Sequence, residues 1–184
     1  APLVLGNIEV SYSGKLREVL MMGSSRSFFD IRHLDVGQGR LLPDLPFNKG
    51  ESVCVIGNKF SRELFASKPA LGEWVRAGDS RFRVIGILKE GGTSFGFDMN
   101  DVMIIPVVNA QSLFNKDGLF RMFTEVRSHQ ELNNIKAKII ALIKERHEGE
   151  EDVTVISQDA MLSSVQKILD TLTYAVTGIA SISM

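Results

Sequence analysis

The C-terminal end of the chain is its least charged stretch. The last charged side chain is Asp170, and the fourteen residues after it end in LTYAVTGIASISM. A helix that crosses a bilayer needs about 18 or more apolar residues, so this run is too short to span a membrane by itself. It also stops without the Gly or Lys/Arg signal that usually ends a soluble helix. Two interpretations therefore stay open: the last core helix of a small domain, or the first turns of a transmembrane helix.

Composition restricts the class of protein. Apolar residues make up 44% of the 184 residues and charged residues 23%, which are values typical of a globular chain rather than a disordered one. The net charge of -1 leaves no basic excess for binding nucleic acid. The single cysteine, Cys54, cannot form an internal disulfide. The start APLVLGNIEV lacks the basic and long apolar regions of a signal peptide, so an exported protein would need a signal elsewhere.

Short apolar runs between turn residues predict strands over the first two thirds of the chain. Alternation before Ser13-Gly14 predicts a hairpin there, and Ser24 or Ser25 is expected to cap a short helix. Further predictions are the strand SVCVIG (52–57), the helix KFSRELFA (59–66), the hairpin EWVRAGDSRFRVIGILKE (73–90) over Gly78-Asp79 with Trp74 and Phe82 supplying bulk, the strand DVMIIPVV (101–108) and a helical turn NAQSLF (109–114).

The last third has a more regular pattern. FTEVRS (123–128) predicts a strand, and the capping box that ends at Glu131 predicts the start of a helix that finishes near Gly149. DVTVIS (152–157) predicts another strand, and Ser157 is expected to cap a final helix that continues into the uncharged end. These elements together predict an α+β fold.

Residues that commonly carry catalysis or bind metal are sparse and scattered. His33, His129 and His147 lie far apart beside polar neighbours, which favours surface positions over metal ligation. Cys54 lies within an apolar strand, where a buried and inert thiol is expected. The sequence has no phosphate-binding glycine motif and no nucleophile elbow. It therefore predicts no catalytic residue, no cofactor and no metal site.

The glycine-rich segment GGTSFGFDMND (91–101) is the candidate contact site. Phe95, Phe97 and Met99 alternate in a loop that flanking strands should hold at the surface, and exposed aromatic residues often mark partner contacts. The alternative is that these side chains fold back onto the domain. Asp98 and Asp101 could bind a hard cation, although two carboxylates in a loop more often form a solvated turn.

Three segments resemble one known family. VCVIGNKFSRELF, PALGEWVRAGDSRFRVIGILKEGG and DVMIIPVVNAQSLF resemble the periplasmic core domain of macrolide-exporter (MacB-like) ABC permeases, within the wider group that includes lipoprotein-release and FtsX-like permeases. Upstream, SFFDIRHLDVGQGRLL is similar to the helix, strand and loop of that family, and YAVTGIASISM is similar to the first turns of the transmembrane helix that follows.

The resemblance implies a domain on the periplasmic side of a bacterial inner membrane, between the first two helices of a four-span permease. It implies two lobes: a discontinuous porter-like lobe from 1–48 and 119–170, and a small mixed α/β lobe inserted at 49–118. Residues 171–184 would begin a transmembrane helix. The side chains that would enter the membrane there are Tyr174, Val176, Ile179 and Ile182.

The resemblance also implies a non-enzymatic module that couples cytoplasmic ATP hydrolysis to handling of substrates outside the membrane. Its expected partners are an ABC ATPase subunit or domain, a second permease copy, and a periplasmic adaptor protein or a lipoprotein carrier, with the membrane itself contacted in the full-length protein and no nucleic acid. A lipoprotein-release permease with the same fold is one alternative. A stand-alone soluble binding domain or a cryptic hydrolase is an alternative of another class.

Overall fold

The computed structural model describes residues 1–46, 48–66, 68–94, 96–126, 131–146, 154–156 and 168–174. Its contacts divide the chain into two compact units, Ala1–Glu125 and Val126–Met184. The elements are β1 (Pro2–Tyr12), β2 (Lys15–Ser24), α1 (Arg26–Ile31), β3 (Val36–Gly39), β4 (Val53–Ile56), α2 (Asn58–Phe65), β5 (Trp74–Ala77), β6 (Ser80–Leu88), β7 (Thr93–Ser94), β8 (Phe97–Asp98), β9 (Val102–Pro106), α3 (Val107–Phe114), β10 (Arg121–Met122) and α4 (Leu132–Arg146). The mixed α+β class expected from the sequence is confirmed.

The predicted hairpins and helices of the first unit are present. β1 and β2 pair antiparallel around Ser13 and Gly14, whose φ angles of 48° and 81° are those of a hairpin turn with left-handed central residues. β5 and β6 pair antiparallel around Gly78 and Asp79, with Ala77 opposite Ser80 and a left-handed φ of 55° at Gly78. The helix predicted after Ser25 is α1, although the Ser25 side chain makes no capping hydrogen bond.

Six strands of the first unit form a closed ring. β1 pairs with β2, β2 with β9, β9 with β4, β4 with β6, β6 with β5, and β5 pairs back with β1 through Val10 opposite Ala77 and Ser11 opposite Arg76. The pairs β2–β9 and β4–β6 are parallel and the other four are antiparallel. The ring is therefore a small mixed barrel. β10 and β3 extend it at β1 and β6.

The barrel has apolar packing on both sides of its wall. One buried cluster contains residues from all six ring strands together with α2 and α3, so it fills the interior. A second buried cluster covers part of the outside, where Phe28 and Phe29 of α1 pack against Met22 and Ile104. Side chains of a strand alternate between its two faces, so β9, which is buried along its whole length, contributes to both clusters. Short apolar runs such as VMIIP are explained by burial on both faces.

Two strands predicted in the last third are not strands where the structure describes them. Residues 123–126 and 154–156 have no assigned strand, and the short strand nearby is β10, which lies just before the predicted one. Alternation of apolar residues favours an extended chain, but a strand also needs a neighbouring edge with which to pair. The predicted helix is confirmed as α4, whereas the other residues of the capping box, 128–130, lie outside the described residues.

The compact units differ from the expected lobes. The strands of 1–48 and those of 49–118, apart from the β7–β8 hairpin, belong to one hydrogen-bonded sheet. One link within the expected porter-like lobe is present, because β10 pairs with β1 at Pro2 and Leu3 and the N-terminal amine donates to the Phe123 carbonyl oxygen at 2.6 Å. The expected division into two lobes in the intact protein stays a prediction.

Candidate interaction and transmission surfaces

The glycine-rich segment folds as a small hairpin at the rim of the barrel. β7 and β8 pair antiparallel, with Thr93 opposite Asp98 and Ser94 opposite Phe97. The side-chain amide of Asn100 closes the base of this hairpin, because it donates to the Gly91 carbonyl and to Asp98 Oδ1 and accepts from Gly91 N–H at 2.9 Å. The segment expected to be an open loop is therefore a β-hairpin with a braced base.

The three candidate contact residues have different positions. Met99 is 3% exposed and belongs to the outer buried cluster, so the expectation of surface exposure is wrong for this side chain. The reason is that the hairpin ends before Met99 and the chain turns back onto the barrel to start β9. Phe97 is partly buried and packs against the same cluster. Phe95 lies outside the described residues. A partner contact at these residues stays a prediction.

Asp101, at the start of β9, is held in a network of ion pairs. Its Oδ2 lies 2.7 Å from Arg17 Nη2 and 3.0 Å from Lys59 Nζ, and Arg17 also reaches Glu63 Oε2 at 2.7 Å. The hydrogen bond to Asp101 raises the pKa of Lys59 above its ordinary value. The guanidinium of Arg17 lies 5.4 Å from the centre of the Phe60 ring. Two cations thus neutralise two carboxylates, so this network links β2, α2 and β9 and does not resemble an open cation site.

The other titratable side chains that the structure describes do not converge on a reactive centre. Cys54 is fully buried in β4, and burial raises the pKa of its thiol. His33 is exposed in the turn after α1, while His129 and His147 lie outside the described residues. Within the described ranges, no group of three or more His, Cys, Asp or Glu could hold a metal ion.

The C-terminal segment is helical where the structure describes it. Residues 168–174 form helical turns in which Thr173 Oγ1 donates to the Leu169 carbonyl oxygen at 2.8 Å, and Tyr174 is 78% exposed. Val176, Ile179 and Ile182 lie outside the described residues. Among the helices that are described, none has the length and apolarity needed to cross a membrane. The role of the segment in entering a membrane stays a prediction.

The β5–β6 hairpin contains an exposed face that the sequence interpretation did not identify. Trp74, expected to add core bulk, is 54% exposed, whereas its neighbours Val75 and Ala77 are buried. The strand period puts Trp74 and Arg76 on the outer side of the barrel wall. The alternation of W-V-R-A contained the signal. The two small apolar residues lie on the strand face that packs into the core, and the large aromatic residue lies on the opposite face.

A family model and several known proteins match this chain. The model described as MacB-like periplasmic core domain matches residues 1–142. A macrolide export ATP-binding/permease protein, MacB, from Bdellovibrio bacteriovorus is 29% identical over 100% of this chain and 29% of its own length. An uncharacterized ABC transporter permease from Methanocaldococcus jannaschii is 26% identical over 97% of this chain and 44% of its own length. The chain therefore spans less than half of these relatives.

Solved structures share the fold. The extracellular domain of the ABC-type transporter YknZ from Gram-positive bacteria superposes with a TM-score of 0.73 at 22% identity, covering 85% of this chain and 79% of that domain. The periplasmic region of MacB from Actinobacillus actinomycetemcomitans gives a TM-score of 0.71 at 19% identity, covering 90% of this chain and 74% of that region. At these identities the likeness concerns the fold alone.

Proposed function

Because the chain belongs to the family of MacB-like periplasmic core domains, we propose that it couples ATP hydrolysis in the cytoplasm to export of substrates on the outer side of the membrane. The observation that carries this proposal is the family match over residues 1–142. In this role the domain moves and binds but performs no catalysis, and the ATPase lies in another domain or on another chain. The relatives named as ATP-binding/permease proteins support that division, since this chain spans under a third of their length.

The architecture suits a part that transmits motion. A barrel closed by hydrogen bonds on all six strands and packed on both sides of its wall resists deformation, because closure leaves few free edges and close-packed side chains transmit strain. A continuous helix through 168–174 would be stiff enough to carry a displacement between such a body and a membrane. We assign to this helix the transmission role, with residues 171–184 as the beginning of a transmembrane helix.

The proposal includes partners and a lobe arrangement. In the intact transporter the domain would work beside a second permease copy, with an ATPase on the cytoplasmic side and an adaptor protein on the outer side of a bacterial inner membrane. The porter-like lobe of 1–48 and 119–170, with 49–118 inserted, is supported by the pairing of β1 with β10. The pairing of β1 and β2 with β5 and β9 instead favours a lobe boundary after Glu125.

A break in the C-terminal helix tests the coupling role. We expect Thr171→Pro in the full-length permease, reconstituted with its ATPase in proteoliposomes, to abolish substrate export while ATP hydrolysis continues. Proline removes a backbone donor and clashes with the preceding turn, at a cost of about 3 kcal/mol in a helix interior. The measurement is the ratio of substrate molecules exported to ATP molecules hydrolysed.

Thr171→Ala is the matched control, because it removes the same side chain and keeps the helix. This variant should keep the ratio of the unmodified transporter. Export that continues unchanged in the proline variant would exclude mechanical coupling through this helix. Loss of both export and ATP hydrolysis would indicate a folding defect, which the amount of protein extracted from the membrane reports independently.

A further inference from the structure

The outer face of the β5–β6 hairpin combines a tryptophan with three arginines. In the antiparallel register Trp74 lies opposite Arg83, and Arg76 lies opposite Arg81. All four side chains are exposed, while Val75 and Phe82, the pair between them, are buried on the inner face. Residues directly opposite one another have Cβ atoms about 5 Å apart, so the four side chains form one contiguous surface, here called the Trp–Arg face.

The Trp–Arg face lowers the stability of an isolated domain. Like charges directly opposite on neighbouring strands destabilise a sheet, and Arg76 and Arg81 are such a pair. Two of the arginines donate a hydrogen bond from Nε to a backbone carbonyl oxygen. Arg76 donates to Gly78 at 2.9 Å, and Arg83 donates to Gly72 at 3.1 Å. These bonds fix the side chains and leave most donors of each guanidinium fork accessible. Arg76 has one weak ion pair, at 3.5 Å to the fully exposed Asp79.

The charges around the Trp–Arg face favour a ligand the width of one extended chain over a broad surface. On the same outer side of the barrel, the neighbouring strands carry Glu9 of β1 directly opposite Glu18 of β2, and both are exposed. Asp79 lies at the hairpin turn. A broad anionic surface such as a membrane would bring negative charge against these three carboxylates. A single extended peptide aligned with the hairpin would meet the arginines without reaching both glutamates.

We propose that the Trp–Arg face binds an extended acidic segment of a partner protein. Arg76 and Arg81 form one row, and Trp74 and Arg83 form the next row two residues along the strands, about 7 Å away. Alternate residues of an extended peptide have the same spacing, so carboxylates at positions i and i+2 would reach both rows. Arginine forks bind carboxylates in a bidentate manner, and the indole of Trp74 offers an apolar surface to the peptide backbone.

Binding at the Trp–Arg face does not depend on the coupling role proposed above. Trp74 is the single tryptophan of the chain, so its fluorescence reports on the face directly. The probe is an acetylated, amidated hexapeptide that alternates Asp and Ser, titrated into the chain at low salt. We expect a saturable change in Trp74 emission that weakens as salt is added, because charge pairs at a surface are screened.

A double variant tests the arginines. Arg76→Gln with Arg81→Gln should weaken binding by at least about tenfold, which corresponds to the loss of one or two charge-assisted hydrogen bonds. The variant relieves a like-charge pair and also removes the Arg76–Gly78 hydrogen bond, so thermal unfolding should occur at nearly the same temperature. The matched control is Arg26→Gln with Lys49→Gln, which removes the same charge from exposed positions on α1 and before β4. This control should bind as the unmodified chain does.

Several results would overturn the inference. One is equal binding of a hexapeptide that alternates Asn and Ser, because the carboxylates would then contribute nothing. Another is an equal loss of affinity in the control variant, which would reflect net charge alone. A third is the absence of any response to the acidic peptide together with a response to vesicles of phosphatidylcholine and phosphatidylglycerol. That result would assign the face to a membrane surface instead.

Discussion

At the scale of single residues, Gly57 shows how a missing side chain sets the packing of the barrel rim. A Cβ at this position would collide with the backbone carbonyl of Asn100, although the φ of -71° is one that any residue adopts. The same carbonyl accepts from Phe60 N–H at 3.0 Å and so satisfies a donor in the first turn of α2. A backbone group from the β8–β9 connection thus replaces the side-chain cap that α2 lacks.

We expect Gly57→Ala to destabilise the chain by about 1–3 kcal/mol, which is the usual cost of overpacking where the obstructing atom belongs to the backbone. Urea unfolding followed by Trp74 fluorescence measures the change. Gly92→Ala is the matched control, since a Cβ there has no atom within 4 Å and should leave the midpoint nearly unchanged. Equal midpoints for both variants would show that the Asn100 connection yields easily.

At the scale of elements, the β7–β8 hairpin is the feature whose role depends most on tertiary context. Two residue pairs are too few to hold a hairpin in water, so the Asn100 brace and the packing of Phe97 must stabilise it. Phe97 therefore has a structural role in this chain. A further role in contacting a partner would appear only in the intact transporter.

We expect Phe97→Ser to lower the free energy of unfolding by about 1–2 kcal/mol, because part of an aromatic side chain is removed from an apolar cluster. If the hairpin contacts a partner, the same variant should reduce export by the full-length permease several-fold. Urea unfolding of the chain and transport by the permease are the two measurements.

Leu41→Ser provides the control, since Leu41 is also partly buried against the outer cluster but lies outside the hairpin. The two variants should lose similar stability and differ in export. Similar export in both would restrict Phe97 to packing and remove it from the candidate contact site.

At the scale of the whole molecule, both buried clusters lie within the first compact unit. Among the residues that the structure describes, every buried and partly buried member of the two clusters comes from residues 1–123. The ring of strands closes within the same range, and the contact between the N-terminal amine and Phe123 ties its two ends together. This unit therefore contains all the packing described for the barrel.

We expect a fragment of residues 1–125 to fold without the remainder of the chain. Its unfolding in urea should be cooperative, with Trp74 fluorescence and far-ultraviolet circular dichroism giving coincident transitions. The complete chain measured in parallel is the reference. A fragment without a cooperative transition would show that residues after Glu125 are needed to form the barrel, and it would contradict the division into units.

Sequence patterns predicted much of the first unit, and helix α4 of the second, because their signals are local. Three signals depend only on residues close in the chain: the left-handed turn at Ser13-Gly14, the turn-forming residues that separate the elements of 52–114, and the helical period of α4. The hairpins and helices at these positions were therefore correctly predicted. The predictions at 123–126 and at Met99 were wrong for one reason. Whether an extended segment pairs and which side chain becomes buried depend on residues far away in sequence.

The sequence by itself determined the family, the α+β class and the local elements, since each follows from residue order over short spans. Only the tertiary structure decided that β5 returns to β1 and closes the barrel, that Asp101 is neutralised by Arg17 and Lys59, and that Trp74 faces outward beside Arg83. The physical reason is that closure, charge pairing and exposure are properties of neighbours in space, and the chain brings those neighbours together only when it folds.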